Sequence, residues 1–281
     1  MTRRSTDLVC PAVAALRIID EWGARTAAAG LTRAGAEIGV HGPRDAVLRW
    51  ASVTKLLTGV ALLVAVEEGT VELDEPAGPP GSTLRHLLSH ASGLPPEEGP
   101  PLMPPGRRRI YSNYGIELAA AHVAERSGMP FADYFQASVV EPLALTGALH
   151  GSAAWGYRGP LDDLLKLGRE LLAPTLVARE TLDEATSVQF PGLAGVLPGW
   201  GRMEPNDWGL TFELRDHKSP HWTSPSNSPR TFGHFGAAGT FLWVDPELGV
   251  ACALLTDKEF GEWAVDAWPR FNESVVGEQR P

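Results

Sequence analysis

The sequence predicts an α+β fold in which one antiparallel sheet is assembled from both ends of the chain, around a mainly helical insertion. Strand-like apolar runs cluster near the start, helix-like patterns occupy the middle, and strand character returns near the end. Strands grouped apart from helices are typical of this fold class. The predicted division is a discontinuous sheet domain over 1–51 and 195–281 and a helical domain over 52–194, with the active site at their interface.

The first segment should contain a helix followed by three short strands. Pro11 suits the first position of a helix over 11–22, and apolar residues recur on one side of it. The following runs 27–32, 36–41 and 46–50 are separated by two turn-like stretches and predict strands.

The stretch 52–68 is the strongest helix prediction in the chain. Apolar residues lie nearly all round it, so the helix should be buried, and Gly69 should end it. Beyond it we expect a proline-rich loop over 95–106 and helices over 83–89, 114–127, 131–140, 161–172 and 179–187. Strands should follow over 208–214, 239–244 and 250–256. A last helix is expected over 262–276, interrupted by Pro269.

Composition excludes several classes of function. The 281 residues are 43% hydrophobic and carry a formal net charge of −10, which disfavours nucleic acid and anionic membranes as partners. Cys10 and Cys252 cannot make a disulfide framework, so free thiols are expected. Residues 1–7 lead into no apolar segment, and no apolar run is long enough to span a bilayer, so we expect a cytoplasmic protein.

Ser52 and Lys55 form the first candidate pair of reactive residues. A spacing of three places both side chains on one side of the buried helix, within reach of each other. The positive end of the helix and its apolar surroundings should lower the pKa of Lys55, so that it can accept the Ser52 proton. The structural alternative is that Ser52 only caps the helix.

Two further motifs could contribute polar groups. Tyr111 could carry a proton and Asn113 could hold a substrate carbonyl, although both residue types are also common at helix starts. His234 and Gly236 lie in a glycine-rich stretch that would allow a ligand to approach a strand closely; the alternative is a β-bulge with a surface histidine.

His86 and His90 resemble a metal-binding pair by spacing. No third ligand with sensible spacing accompanies them, so both are interpreted as structural. The sequence also contains no G-x-S-x-G, P-loop or G-x-G-x-x-G motif, which argues against the enzyme classes that these motifs define.

Taken in order, these segments resemble the serine β-lactamase and penicillin-binding-protein superfamily, in its class C β-lactamase, D-Ala-D-Ala carboxypeptidase and esterase branch. The resemblance lies in Trp50-Ala-Ser-Val-Thr-Lys55, Leu84-Arg-His-Leu-Leu-Ser-His-Ala-Ser-Gly-Leu94, Tyr111-Ser-Asn113 and Gly233-His-Phe-Gly-Ala-Ala-Gly239. It implies a β-lactamase/transpeptidase-like fold and an acyl-enzyme on Ser52, with no metal or organic cofactor.

The resemblance also implies a role for each candidate residue. Lys55 and Tyr111 would transfer the proton, and which of them is the base in each step stays open. Asn113 would position the substrate or Lys55, and His234 would face Ser52 from a strand edge. The backbone N–H groups of Ser52 and Ala237 would form the oxyanion hole.

The chain departs from the family in the third motif. His234 stands where class C β-lactamases have lysine, and Phe235 stands where threonine is usual. That change should weaken recognition of a substrate carboxylate. We therefore expect hydrolysis of a small ester or amide. The alternatives are a D-Ala-D-Ala carboxypeptidase or D-aminopeptidase, a weak β-lactamase, and, in another class, a non-catalytic binding protein. Substrates would be small esters, amides or peptides, and the oligomeric state is open.

Overall fold

The computed structural model describes residues 11–280, so the predictions for Cys10 and for the N-terminal seven residues lie outside the described residues. A 3₁₀ helix, Pro11–Trp22, comes first. The strands are β1 Ala27–Thr32, β2 Glu37–His41, β3 Leu48–Arg49, β4 Ala148–Leu149, β5 Tyr157–Gly159, β6 Gly195–Leu197, β7 Gly201–Met203, β8 Glu213–Leu214, β9 Phe232–Gly236, β10 Thr240–Asp245 and β11 Val250–Thr256. The helices are α1 Thr54–Glu67, α2 Leu84–Leu88, α3 Asn113–Ser127, α4 Phe131–Phe135, α5 Leu161–Leu172, α6 Arg179–Ala185 and α7 Glu262–Gln279, with a π-helical turn, Gln136–Val140, continuing α4.

The main sheet joins the two ends of the chain, as predicted. Its six strands lie in the order β2-β1-β11-β10-β9-β8, and all the pairings are antiparallel. Strand β1 pairs with β11 from Ala27 opposite Thr256 to Thr32 opposite Ala251. The prediction of an α+β fold with an antiparallel sheet from both termini is therefore confirmed.

Both faces of the sheet are covered by helices. On β11, Ala251, Ala253 and Leu255 belong to one buried cluster, whereas Val250, Cys252 and Leu254 belong to the other, as the two-residue period of a strand requires. The second cluster includes buried side chains of the 3₁₀ helix and α7. Helix α5 packs on the opposite face, next to β1 and β11. Although α5 lies in the segment predicted as the helical domain, it packs on the sheet, and the division into two domains remains a prediction.

Several predicted boundaries were wrong. The third strand is only Leu48–Arg49 and pairs with β5 in a separate three-stranded sheet. The Trp50 indole next to it donates to the Gly159 carbonyl at 3.1 Å, which directs the chain away from the main sheet. The stretch 208–214 forms a named strand only at Glu213–Leu214. In the part of the chain that the structure describes, no helix is both long and apolar enough to cross a membrane.

Candidate active site

Ser52 lies in a tight turn rather than in the first turn of an α-helix. Residues Ala51–Val53 form a 3₁₀ turn, and α1 begins at Thr54, so the predicted helix start was two residues too early. Ala51 has a φ of 47°, a conformation that is uncommon outside glycine. Ser52 therefore precedes the α-helix. The alternative that Ser52 caps the helix is wrong, because Val53 occupies the cap position.

The main sheet holds this turn from the other side. Thr240 Oγ1, on β10, donates to the Trp50 carbonyl at 2.9 Å. Gly236, at the end of β9, lies so close that a Cβ there would be 2.4 Å from the same oxygen. Glycine is thus required at this position for β9 to approach the Ser52 turn.

Lys55 is fully buried, and its ammonium group contacts three oxygen atoms. Nζ lies 3.2 Å from Ser52 Oγ, 2.7 Å from Asn113 Oδ1 and 3.0 Å from the Ala154 carbonyl oxygen. Burial lowers the pKa of Lys55 to about 7, against the opposing negative charges of Glu117 and Glu97. The low pKa expected from the sequence is thus present, and its main cause is desolvation.

Glu117 positions the Ala154 carbonyl that Lys55 contacts, and it is not among the site residues predicted from the sequence. Its carboxylate accepts hydrogen bonds from the backbone N–H groups of Ala153 and Ala154, both at 3.2 Å, and from the Ser152 hydroxyl. Glu117 lies four residues after Asn113 on α3, so both side chains share a helix face. That spacing is the signal by which it could have been found.

Tyr111 completes the contacts of the serine hydroxyl. Its Oη donates to Ser52 Oγ at 2.8 Å, and Lys55 Nζ lies 4.7 Å from its ring centroid. The His90 ring packs against the Tyr111 ring, with centroids 4.7 Å apart. Burial raises the pKa of Tyr111, although the Ser52 hydrogen bond opposes this. Tyr111 therefore keeps its proton near neutral pH.

Asn113 is the first residue of α3 and links Lys55 to the loop 95–106. The preceding Ser112 caps the helix by accepting from the Gly115 N–H at 2.9 Å. The Asn113 side chain is bound at both ends, because Oδ1 accepts from Lys55 and Nδ2 donates to Glu97 Oε1 at 3.0 Å. Asn113 therefore lies between the buried amine and a carboxylate.

His234 is buried within β9, so the alternative of a surface histidine is wrong. Its Nδ1 lies 2.6 Å from the Phe235 carbonyl oxygen, which assigns the proton to Nδ1 and leaves a lone pair on Nε2. Burial and the nearby Lys55 lower the pKa of His234 to about 3. The ring is thus neutral, and it packs against Tyr111 and Trp208, with centroids 5.8 and 5.5 Å away.

The two histidines with metal-like spacing have separate structural contacts. His86 Nδ1 accepts from the Thr83 backbone N–H at 3.3 Å, and His90 Nδ1 accepts from the Ser112 N–H at 3.2 Å. Among residues 11–280, no group of three His, Cys, Asp or Glu side chains is placed to hold a metal ion. His90 instead anchors the segment between Tyr111 and Asn113.

Ser52, Tyr111, Asn113 and His234 line one cavity of about 230 Å³. Apolar residues at the ends of β6 and β9 and before α7 form much of the remaining wall. The lining residues are Ser52, Tyr111, Asn113, Leu197, Pro198, Trp208, His234, Phe235, Ala237 and Phe260. A larger crevice of about 570 Å³ beside α6 contains none of the predicted reactive residues. The smaller cavity is therefore the candidate active site. Every predicted site residue lines it except Lys55 and Gly236, which lie directly behind it.

This fold and this arrangement are those of the β-lactamase and penicillin-binding-protein class. The chain belongs to the β-lactamase family, whose model matches residues 7–276. The crystal structure of a protein described as a β-lactamase from Mycobacterium bovis is 47% identical, covers 95% of this chain and 99% of that one, and superposes with a TM-score of 0.93.

Two other relatives are more distant. The D-alanyl-D-alanine-carboxypeptidase/endopeptidase AmpH of Escherichia coli K12 is 30% identical over a match covering 36% of this chain and 36% of AmpH. The chain thus matches about a third of the length of this curated relative. EstCE1, described as a hydrolase with promiscuous acyltransferase activity, shares 17% identity and a TM-score of 0.77, covering 95% and 98% of the two chains. That likeness concerns the fold.

Proposed function

We propose that this protein is a serine hydrolase that acts on a small ester or amide through an acyl-enzyme on Ser52. The observation that carries the proposal is that Ser52 Oγ lies within hydrogen-bond distance of both Lys55 Nζ and Tyr111 Oη. A buried amine and a phenol on one serine hydroxyl provide the proton acceptor and proton donor that acyl transfer needs.

Lys55 is proposed as the base in the acylation step. A neutral amine has two N–H donors and one lone pair, and Lys55 has two carbonyl acceptors, Asn113 Oδ1 and the Ala154 oxygen. With both N–H groups donated there, the lone pair faces Ser52 Oγ. The Ser52 proton then passes to Nζ while Oγ forms a bond to the acyl carbon.

Tyr111 is proposed as the proton donor to the leaving group. Because the pKa of Tyr111 is raised, it is protonated when the bond between the acyl carbon and the leaving oxygen or nitrogen breaks. The leaving group takes the phenolic proton, and the ammonium of Lys55 restores it. Water then attacks the acyl-enzyme, which releases the acid and regenerates Ser52.

The negative oxygen of the tetrahedral intermediate is proposed to lie between the backbone N–H groups of Ser52 and Ala237. Both residues line the cavity, and Gly236 brings the end of β9 against the Ser52 turn. Two fixed N–H groups at this point would stabilise the charge that develops during the reaction.

The lining of the cavity supports an acyl group without a carboxylate. Of the ten described residues that line it, none is arginine or lysine, and His234 is neutral. Leu197, Pro198 and Phe260 supply apolar walls. A small acyl group is therefore favoured over the carboxylate-bearing substrates typical of β-lactamases. A cytoplasmic location stays a prediction from the sequence.

Hydrolysis of a β-lactam or of a D-Ala-D-Ala peptide is the second candidate. It is favoured by the description of the 47% identical Mycobacterium bovis protein as a β-lactamase and by the match to AmpH. A non-catalytic binding protein would need none of the contacts that converge on Ser52, and their presence argues against it.

Turnover of three substrate types by the wild-type protein and Ser52→Ala tests the proposal. The panel contains short-chain nitrophenyl esters, a chromogenic cephalosporin and a D-Ala-D-Ala peptide, and Ser89→Ala serves as a control because Ser89 caps α2 instead. Ester hydrolysis lost only in Ser52→Ala, with an acyl adduct on Ser52 by mass spectrometry, is the expected result. Absence of both turnover and adduct would overturn it.

A further inference from the structure

We propose that Glu97 binds an ammonium group on the acyl part of the substrate, so that the site prefers aminoacyl esters and amides over their uncharged isosteres. The inference rests on the proposed acyl-enzyme function and specifies its substrate class. Its basis is a carboxylate that is hydrogen-bonded to Asn113, a residue of the cavity lining, and a lining that contains aromatic rings but no arginine or lysine.

The position of Glu97 is fixed by the start of α3. The backbone N–H groups of Asn113 and Tyr114 both donate to the Pro96 carbonyl, at 2.9 and 3.2 Å. Ser112 Oγ donates to the Pro95 carbonyl at 2.6 Å. Three hydrogen bonds therefore hold the two residues before Glu97 against the helix that carries Asn113.

The Glu97 carboxylate has room for a further partner. It is exposed and accepts one side-chain hydrogen bond, from Asn113 Nδ2 at 3.0 Å. Within residues 11–280 no cationic side chain forms an ion pair with it. Asn113 lines the cavity, and its side-chain amide binds Lys55 at one end and Glu97 at the other. Only this amide group therefore separates the Glu97 carboxylate from the Lys55 amine.

The other walls of the cavity suit the same ligand. Tyr111 and Trp208 present aromatic rings, which attract ammonium groups. His234 belongs to the same lining, and its buried Nε2 has no hydrogen-bond partner within the described structure. A substrate ammonium would meet a carboxylate and aromatic rings, whereas a substrate carboxylate would meet like charge and no arginine or lysine in the cavity lining.

Glu97 could instead act only by orienting Asn113. A purely positioning role would affect every substrate equally, because Asn113 contacts Lys55 whatever acyl group is bound. The comparison of charged and uncharged substrates of equal size therefore separates the two roles.

The test uses alanine p-nitroanilide, as both the D- and the L-form, and isobutyryl p-nitroanilide, in which a methyl group replaces the ammonium. Wild type, Glu97→Gln and Glu98→Gln are compared by kcat/KM at pH 7. Glutamine keeps the acceptor for Asn113 and removes the charge, and Glu98 is the adjacent exposed glutamate. We expect wild type to prefer one alanine anilide by about tenfold, and Glu97→Gln to remove that preference while Glu98→Gln retains it.

The outcomes separate this inference from the proposed function. Three results would overturn the inference alone. One is Ser52-dependent turnover of the isobutyryl anilide with no preference for either alanine anilide. Another is an equal loss of activity on all substrates in Glu97→Gln. The third is turnover of the nitrophenyl esters without turnover of any anilide. No turnover of the esters or the anilides, with no adduct on Ser52, would overturn the proposed function together with the inference.

Discussion

Tyr111 Oη lies 2.8 Å from Ser52 Oγ although the two residues are 59 positions apart in the chain. The contact exists because the turn before α1 and the segment before α3 meet over Lys55. The phenol donates this hydrogen bond, and Lys55 Nζ lies 3.2 Å from the same oxygen. In the proposed mechanism the Ser52 proton passes to Lys55, so the two neighbours of Oγ would have separate roles.

Removing the phenolic hydroxyl should slow the reaction without unfolding the protein. In Tyr111→Phe we expect kcat to fall by about 10²- to 10³-fold with KM changed only a few-fold, because the proton donor is lost and the ring contacts with His90 and Trp208 remain. Steady-state kinetics and thermal unfolding measure both effects. Tyr134→Phe is the control, since Tyr134 Oη donates to Glu68, which follows the C-terminal end of α1. Similar kcat losses in both variants would contradict the prediction.

Activity should rise with pH around the pKa of Lys55. Burial lowers that pKa to about 7, so below pH 7 the amine carries an extra proton and cannot accept the one from Ser52. We expect kcat/KM to increase from pH 6 to pH 8 with a midpoint near 7, and Lys55→Arg to lose most activity because arginine stays protonated. Since Glu117 and Glu97 raise the pKa of Lys55, Glu97→Gln should move the midpoint to lower pH. A profile that is flat over this range would argue against Lys55 as the base.

A methyl group at Gly236 should disrupt the contact between β9 and the Ser52 turn. Its Cβ would lie 2.4 Å from the Trp50 carbonyl oxygen and 2.7 Å from Thr240 Oγ1. In Gly236→Ala we expect a loss of about 1–3 kcal/mol in the free energy of unfolding, measured with urea, together with reduced kcat. Gly35→Ala is the matched control, because nothing lies within 4 Å of a Cβ there. Equal stability of the two variants would show that the turn can move away from β9.

A buried ion pair behind the cavity should be important for stability. The Glu213 carboxylate accepts hydrogen bonds from Lys218 and from Trp222 Nε1, and it contacts His221. Lys218 Nζ lies 5.9 Å from the ring centroid of Trp208, which lines the cavity. Burial raises the pKa of Glu213, but His221 and Lys218 outweigh it and lower the pKa to about 2. Glu213→Gln leaves Lys218 buried without its counter-charge, and we expect a loss of about 3–5 kcal/mol in urea unfolding.

The same pair predicts a pH dependence of stability. Because the folded pKa is below the unfolded value, the contribution of Glu213 is complete above about pH 4.5 and is lost as the pH falls towards 2. Wild type should therefore lose more stability than Glu213→Gln between those values. Glu247→Gln, at an exposed turn, should follow wild type, and identical acid profiles of all three proteins would contradict the prediction.

The sequence allowed the reactive residues to be predicted where local spacing or a motif marks them. Ser52 and Lys55 are three residues apart, and the 3₁₀ turn followed by the start of α1 brings them together. Tyr111, Asn113 and His234 were found through their motifs, but their mutual distances follow from tertiary packing, which no local pattern expresses. In the structure Ser52, Tyr111, Asn113 and His234 line one cavity, and Lys55 contacts Ser52 from behind it.

What escaped prediction depends on contacts between distant segments. The Ala154 carbonyl is an acceptor for Lys55 only because Glu117, on another helix, holds its loop. Leu48–Arg49 has the composition of a strand, yet its partner is β5, more than 100 residues later, and not the neighbouring β2. Glu213 and Lys218 belong to a loop-rich stretch whose charges gave no sign of burial. In each case the tertiary fold, and not the local sequence, determines which residue makes the contact.

The pairing of β1 with β11 determines when the protein can complete its proposed active site. Ala27, at the start of the first strand, is aligned with Thr256, so this central pair of strands cannot form on the ribosome until nearly all of the chain has been synthesised. The Ser52 turn depends on the same late segment, because Thr240 binds the Trp50 carbonyl. Such non-local pairing slows folding. During translation β1 can pair with β2, but its other edge must wait for a partner more than 200 residues away, and the proposed active site cannot form before the last strands emerge.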